Sequence, residues 1–112
     1  MKSKKVLLMG NPNVGKSTVF NELTGMHQHT GNWTGKTVDS TAGKFYYKYN
    51  NYELIDLPGT YSLIPSSEEE RIAGEYLLKE KYDCVVVVMD STMLQRNLML
   101  FYQIFEITSK VV

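Results

Sequence analysis

A single cysteine, Cys84, stands among 112 residues, so no internal disulfide and no cysteine-based zinc cluster can be built. A reducing compartment is the resulting expectation. Charge of one sign is also missing: 12 Lys and Arg balance 12 Asp and Glu, and a neutral chain lacks the basic surface with which nucleic-acid binders displace counterions. No nucleic-acid partner is expected, although a local anion site needs no such surface. Long apolar runs are absent too. Val6, Leu7, Leu8 and Met9 follow Lys2, Lys4 and Lys5 but stop at Gly10, too short for a secretory signal. Nothing approaches the ~20 apolar residues of a membrane helix, so the chain is expected to be soluble. Without repeats, low-complexity tracts or a linker, and with 43% hydrophobic residues, it is expected to form one small domain. Such a domain buries only roughly 60 to 70% of the surface its unfolded form exposes.

What is present is an alternation of short apolar strands and amphipathic helices, the α/β pattern. Val6 to Met9 suit a strand buried on both faces. Val19, Phe20 and Leu23 recur at helical spacing between Gly15 and Thr24, with Gly25 positioned to end that helix. Met26 to Asp39 is polar and aperiodic, which predicts a long loop. Phe45, Tyr47 and Tyr49 alternate with Tyr46 and Lys48, Asn50 and Asn51 predict a two-residue turn, and Tyr52 to Asp56 resumes as a strand. The tyrosines of this hairpin are expected to cover a sheet face. Ser67 and Glu70 predict a capping box ahead of Ile72, Ala73, Tyr76 and Leu77. Cys84 to Met89 predicts another buried strand, with Cys84 in a packing role. Thr92 and Gln95 predict the cap of a last helix whose core stripe is Leu94, Leu98, Phe101 and Phe105.

Gly10-Asn11-Pro12-Asn13-Val14-Gly15-Lys16-Ser17 satisfies GxxxxGK[ST], between a predicted strand and a predicted helix as a phosphate loop requires. The glycines let backbone N–H groups curl around phosphates, and the helix start adds partial positive charge. Lys16 then opposes the β and γ oxygens and Ser17 reaches magnesium. Asp56-Leu57-Pro58-Gly59 follows a predicted strand, where an aspartate serves magnesium and a glycine amide meets the γ-phosphate. Thr37, in the long loop between, is the candidate hydroxyl for closing on that metal. Thr60 follows Gly59 where a glutamine would orient the attacking water, so a glutamine-based mechanism is excluded. Arg71 and Arg96 fall in predicted helices and are expected to be solvated structural residues.

Three further stretches sharpen the picture: Gly31-Asn32-Trp33-Thr34-Gly35-Lys36-Thr37-Val38, Asp56-Leu57-Pro58-Gly59-Thr60-Tyr61-Ser62-Leu63, and Gln95-Arg96-Asn97-Leu98. With the phosphate loop they resemble the N-terminal GTPase domain of the FeoB family of ferrous-iron transport proteins. The resemblance implies a Ras-like P-loop fold of three α/β/α layers, its sheet mostly parallel with one antiparallel hairpin. It implies binding of GTP and GDP and slow, Mg2+-dependent hydrolysis. A helical regulatory domain and membrane-spanning iron-permeation domains would be partners, and the site would face the cytoplasm at a bacterial inner membrane. Nucleotide contacts would come from Gly10, Asn11, Pro12, Asn13, Val14, Gly15, Lys16, Ser17 and Thr18. Gly35, Lys36, Thr37, Val38 and Asp39 would add to them, as would Asp56, Leu57, Pro58 and Gly59. Lys16, Asn13, Thr37 and Gly59 would act in catalysis, with Ser17, Thr37 and Asp56 serving Mg2+. Asn13 would ligate K+, whose charge substitutes for an arginine finger.

The guanine-reading NKxD motif does not occur in these residues, so guanine preference rests on the resemblance. The alternative is a soluble translation-factor-related GTPase of ribosome assembly or tRNA modification, disfavoured by the neutral charge. His27 and His29 lack a third ligand and are expected to be solvated. Val111 and Val112 predict the start of a further strand, so residues 1–112 are expected to form a C-terminally incomplete domain. Its open sheet edge would invite self-association.

Overall fold

The computed structural model describes residues 3–25, 28–33 and 38–112. Strand β1 (Ser3–Gly10) is followed by helix α1 (Lys16–Thr24) and strands β2 (Gln28–Asn32), β3 (Asp39–Tyr47) and β4 (Asn50–Asp56). Helix α2 (Glu68–Lys79), strand β5 (Cys84–Val88), a 3-10 turn (Ser91–Met93) and helix α3 (Leu94–Ile107) complete the order. The sheet runs β2-β3-β4-β1-β5. β1 pairs in parallel with both β4 and β5, whereas β2–β3 and β3–β4 are antiparallel. The antiparallel part is thus larger than the single hairpin expected.

The two-residue alternation of β1 divides the core. Val6 and Leu8 pack with Phe20 of α1 and Leu54. Leu7 and Met9 face the other way, against Ala73 and Leu77 of α2 and Leu100 and Ile104 of α3. Apolar residues on successive positions therefore produce a central strand covered on both faces. Gly25 ends α1 in the left-handed conformation, its N–H donating to the Asn21 carbonyl, as expected of a C-terminal glycine.

Several expectations need correction. The polar segment from Met26 to Asp39 contains β2, an exposed edge strand held by backbone pairing to β3, from Gln28 against Gly43 to Asn32 against Asp39. Backbone hydrogen bonds need no apolar periodicity. The hairpin turns at Lys48 and Tyr49, both at positive φ (45° and 69°), and not at Asn50 and Asn51. Stacking of Phe45 on Tyr52, with centroids 4.8 Å apart, accompanies that register. It leaves Tyr46, Tyr47 and Tyr49 exposed instead of covering the sheet.

Asp90, not Thr92, caps the turn before α3: its carboxylate accepts from the Thr92 amide (2.9 Å) and hydroxyl (2.7 Å). The buried stripe of α3 is Asn97, Leu100 and Ile104, while Leu94 and Phe105 are exposed. Both stripes satisfy helical spacing, and the polar Asn97 disguised the one that is used. Its side chain accepts from Asp90 N (3.1 Å) and donates to Met93 O (2.8 Å), fixing the β5–α3 junction. Beyond α3, Val111 forms a parallel bridge with Val85, so the outer edge of β5 is partly paired.

At the start of α2, the Ser67 hydroxyl accepts from the Glu70 amide at 3.2 Å. The Glu70 carboxylate accepts from the hydroxyls of Ser62, Ser66 and Ser67. The bond from Ser66, then those from Ser62 and Ser67, hold its pKa below the ordinary value. A depressed carboxylate stabilises the fold above the ordinary carboxylate range, and that contribution is lost as pH falls through the lower folded value. Ser67→Ala removes the N-cap acceptor of the Glu70 amide and should lower unfolding free energy by about 1 kcal/mol near neutral pH. Urea titration checks this, and a smaller difference is expected in acid, where the Glu70 acceptor is neutralised.

Candidate functional site

The phosphate loop lies at the C-terminal end of β1, where the chain leaves the sheet and re-enters as α1. Two residues make that turn: Asn13 at φ 65° and Gly15 at φ 93°. Asparagine and glycine are the residue types that tolerate the left-handed region most readily. Asn13 therefore has a backbone role in addition to its side-chain oxygen. Pro12, Asn13, Gly15, Lys16, Ser17 and Gly59 line a cleft of about 480 Å³. Ser17 and Thr18 are exposed on the first turn of α1.

The parallel register of β1 and β4 sets Leu8 beside Asp56, which carries the residues after Asp56 alongside the phosphate loop. Leu57 is buried, and its N–H donates to Leu8 O at 3.1 Å. Pro58 is half-buried. Gly59 packs so tightly on Pro12 that a Cβ there would lie 3.0 Å from Pro12 Cα and 3.2 Å from its nitrogen. The Lys16 ammonium pairs with the Asp56 carboxylate and donates to the Leu57 carbonyl at 2.9 Å. Two of its three N–H groups are thus engaged by the segment expected to serve metal and γ-phosphate.

Thr60 is buried, its N–H donating to Gly10 O at 3.1 Å and its carbonyl accepting from Asn11 Nδ2 at 2.8 Å. Burial removes this side chain from the cleft, consistent with the exclusion of a glutamine-like role. The following residues are pinned by α3: Leu63 N donates to Gln103 Oε1 (2.6 Å), and the Arg96 guanidinium lies 4.8 Å from the centre of the Tyr61 ring. Arg96 is exposed as expected but has a partner in Tyr61. The contacts of Asn11 and Gln103 were not evident from sequence, because each joins chain segments that no motif spacing connects.

Gly35, Lys36 and Thr37 lie outside the described residues, as does His27. The Val38 carbonyl accepts from Trp33 N at 3.0 Å, and Asp39 opens β3. Trp33 is half-buried, edge-on to Tyr76 of α2. His29 is exposed on β2, and among the described residues no group of three His, Cys, Asp or Glu could hold a metal. Cys84 is half-buried, and burial followed by the Asp83 carboxylate pushes its thiol pKa up, which suits packing more than reactivity. No described helix is long and apolar enough to cross a membrane.

A phosphate loop between β1 and α1, backed by an aspartate and glycine at the end of β4 on a mixed sheet with helices on both faces, defines the Ras-like P-loop G-domain class. Within that class the chain belongs to the ferrous iron transport protein B family, whose model matches residues 4–112. It is 50% identical over 106 residues to the Fe(2+) transporter FeoB of Methanocaldococcus jannaschii, covering 95% of this chain and 16% of that protein. With the Staphylococcus aureus Fe(2+) transporter FeoB it shares 42% over 104 residues, or 93% of this chain and 15% of the relative. The crystal structure of the G domain of the T. maritima FeoB iron transporter superposes with a TM-score of 0.94 at 49% identity, covering 98% of this chain and 69% of that one. The cytosolic domain of the same transporter in a GDP form gives 0.90 at 50% identity, over 94% and 41%. The chain therefore spans about a sixth of the curated relatives' length. Membership decides against the translation-factor-related alternative.

Proposed function

We propose that this chain binds GTP and GDP and slowly hydrolyses GTP as the G domain of a ferrous-iron transporter. Its site would face the cytoplasm, and its partners would be a helical regulatory domain and membrane-spanning iron-permeation domains. One observation carries the nucleotide reading: the phosphate loop and the Asp56–Gly59 segment, far apart in sequence, meet at one cleft with Lys16 between them. Membership in a family whose relatives are named Fe(2+) transporters supports the transport context. A relative crystallised in a GDP form supports guanine nucleotide as the ligand.

Backbone N–H groups of the loop and the start of α1 would hold the phosphates, and Lys16 would oppose their charge. The Gly59 amide would meet the γ-phosphate. The donor chemistry fits Mg2+, since the Ser17 hydroxyl, the Asp56 carboxylate and Thr37 are hard oxygen ligands. A neutral amide oxygen on Asn13, at the cleft, suits K+. When bound, these ions would supply positive charge to the phosphate oxygens. With Thr60 buried and no glutamine in its place, no described side chain orients the attacking water in the Ras manner, and unassisted hydrolysis is expected to be slow.

Calorimetry with Mg2+ and a GTP analogue, followed by steady-state hydrolysis, tests this on the full-length protein. Hydrolysis should be faster in K+ than in Na+. Asn13→Gly, which preserves the left-handed backbone and removes the side-chain oxygen, should equalise the two rates. Equal rates in the unsubstituted protein would remove the K+ assignment, and failure to bind nucleotide would remove the whole reading.

A further inference from the structure

Asn11 occupies a position that GxxxxGK[ST] leaves free, yet it is almost fully buried at 2% exposure. Its Nδ2 donates to the Thr60 carbonyl at 2.8 Å across 49 residues of sequence. Its Oδ1 has no hydrogen-bond partner among the described residues, and neither does the buried Thr60 hydroxyl. A buried, unpartnered amide oxygen is costly, and an apolar side chain of similar size would avoid that cost. The geometry uses the donor half of the amide.

That donor has a specific target. Thr60 follows Gly59, and the pair is held to the phosphate loop at three points: Thr60 N–H on Gly10 O, the Asn11 amide on Thr60 O, and the Gly59 backbone against Pro12. Two of these are made by backbone or a proline ring. The Asn11 bond is the only one of the three that is a side-chain hydrogen bond. Without it the Thr60 carbonyl would be buried and unpaired, and the Thr60–Tyr61 peptide that contains it would be free to rotate toward another donor, leaving the Thr60 N–H on Gly10 O as the remaining hydrogen bond between the segment and the loop.

We propose that Asn11 is a positioning residue for triphosphate recognition. Its side chain restrains the carbonyl end of the Gly59–Thr60 segment, and through that segment the backbone carrying the Gly59 amide, without the side chain touching phosphate. This rests on the reading above that the Gly59 amide meets the γ-phosphate. A diphosphate makes no use of that amide, so Asn11 contributes to the preference for tri- over diphosphate more than to nucleotide binding as such. Ordinary stabilisation of the loop would affect both nucleotides alike.

The test is equilibrium binding of a fluorescent GDP and of a non-hydrolysable GTP analogue to the full-length protein in Mg2+ buffer. Asn11→Ala should weaken the triphosphate analogue by about 5- to 10-fold, the size of one hydrogen bond, while GDP stays within about twofold. Asn11→Asp, isosteric but without the donor, should show the same selective loss and serves if the alanine variant folds poorly. Thr60→Val keeps the carbonyl and should leave the ratio unchanged. Equal losses for both nucleotides, or no loss in either Asn11 variant, would overturn the proposal. If the unsubstituted protein binds neither nucleotide, the nucleotide reading fails and the proposal falls with it. Binding of both with an unaltered ratio in the variants sinks the proposal alone.

Discussion

Lys16→Ala is expected to weaken binding of Mg2+-GTP by roughly a hundredfold or more, about 3 kcal/mol, the scale for truncating one partner of a desolvated charge pair. Lys16 carries the only cationic side chain of the phosphate loop. Its side chain is 12% exposed and that of its partner Asp56 19%, so water screens the interaction weakly. The same substitution strands the Asp56 carboxylate and leaves the Leu57 carbonyl without its donor. A stability loss of about 1 to 3 kcal/mol should accompany it, below the cost of breaking a fully buried pair because both groups retain some solvent. Calorimetry and urea unfolding of the same variant separate the two effects. An unchanged affinity in a folded variant would contradict the phosphate-loop assignment.

The second large effect is expected at Gly10. A Cβ there would fall 2.7 Å from the Val88 carbonyl oxygen and 3.0 Å from Val14 Cγ2. Val14 could adjust, but Val88 is backbone of β5 paired directly with Gly10, so relief requires the two strands to separate. Gly10→Ala should cost about 1 to 3 kcal/mol, the range for overpacking a close-packed interior. It should also disturb nucleotide binding, because the Gly10 carbonyl holds Thr60 N–H. Gly31→Ala is the comparison: on exposed β2 its Cβ would meet nothing nearer than Ser40 Oγ at 3.9 Å. Urea midpoints of the two variants should differ clearly, and similar midpoints would mean that the β1–β5 approach is not as close as described.

Elements whose cause lies within a few neighbouring residues were legible from sequence. β1 and β5 show as apolar runs, α1 ends at its glycine, and Ser67 with Glu70 marks the start of α2. Elements whose cause lies elsewhere in the fold were not. β2 has no apolar pattern because its backbone pairing to β3 makes it a strand. The hairpin turn moved from Asn50 and Asn51 to Lys48 and Tyr49, where turn-favouring residue types yielded to the β3–β4 register with Phe45 opposite Tyr52. In α3, two stripes one position apart fit the same period, and contact with Leu7 and Val85 selects the one bearing Leu100 and Ile104.

Gly10 to Ser17 formed a recognisable phosphate loop from sequence alone. Its chemistry needs only local conformation: φ values that asparagine and glycine tolerate, N–H groups at a helix start, and a lysine at the right offset. What the loop touches is another matter. Lys16 reaches Asp56 across 40 residues, Asn11 reaches Thr60 across 49, and Leu63 reaches Gln103 across 40. These partners meet because β1 and β4 run parallel with Leu8 beside Asp56, and because α3 lies over the segment after Thr60. Strand register and helix docking are set by core packing summed over the whole chain, so only the tertiary structure could decide which polar groups face one another.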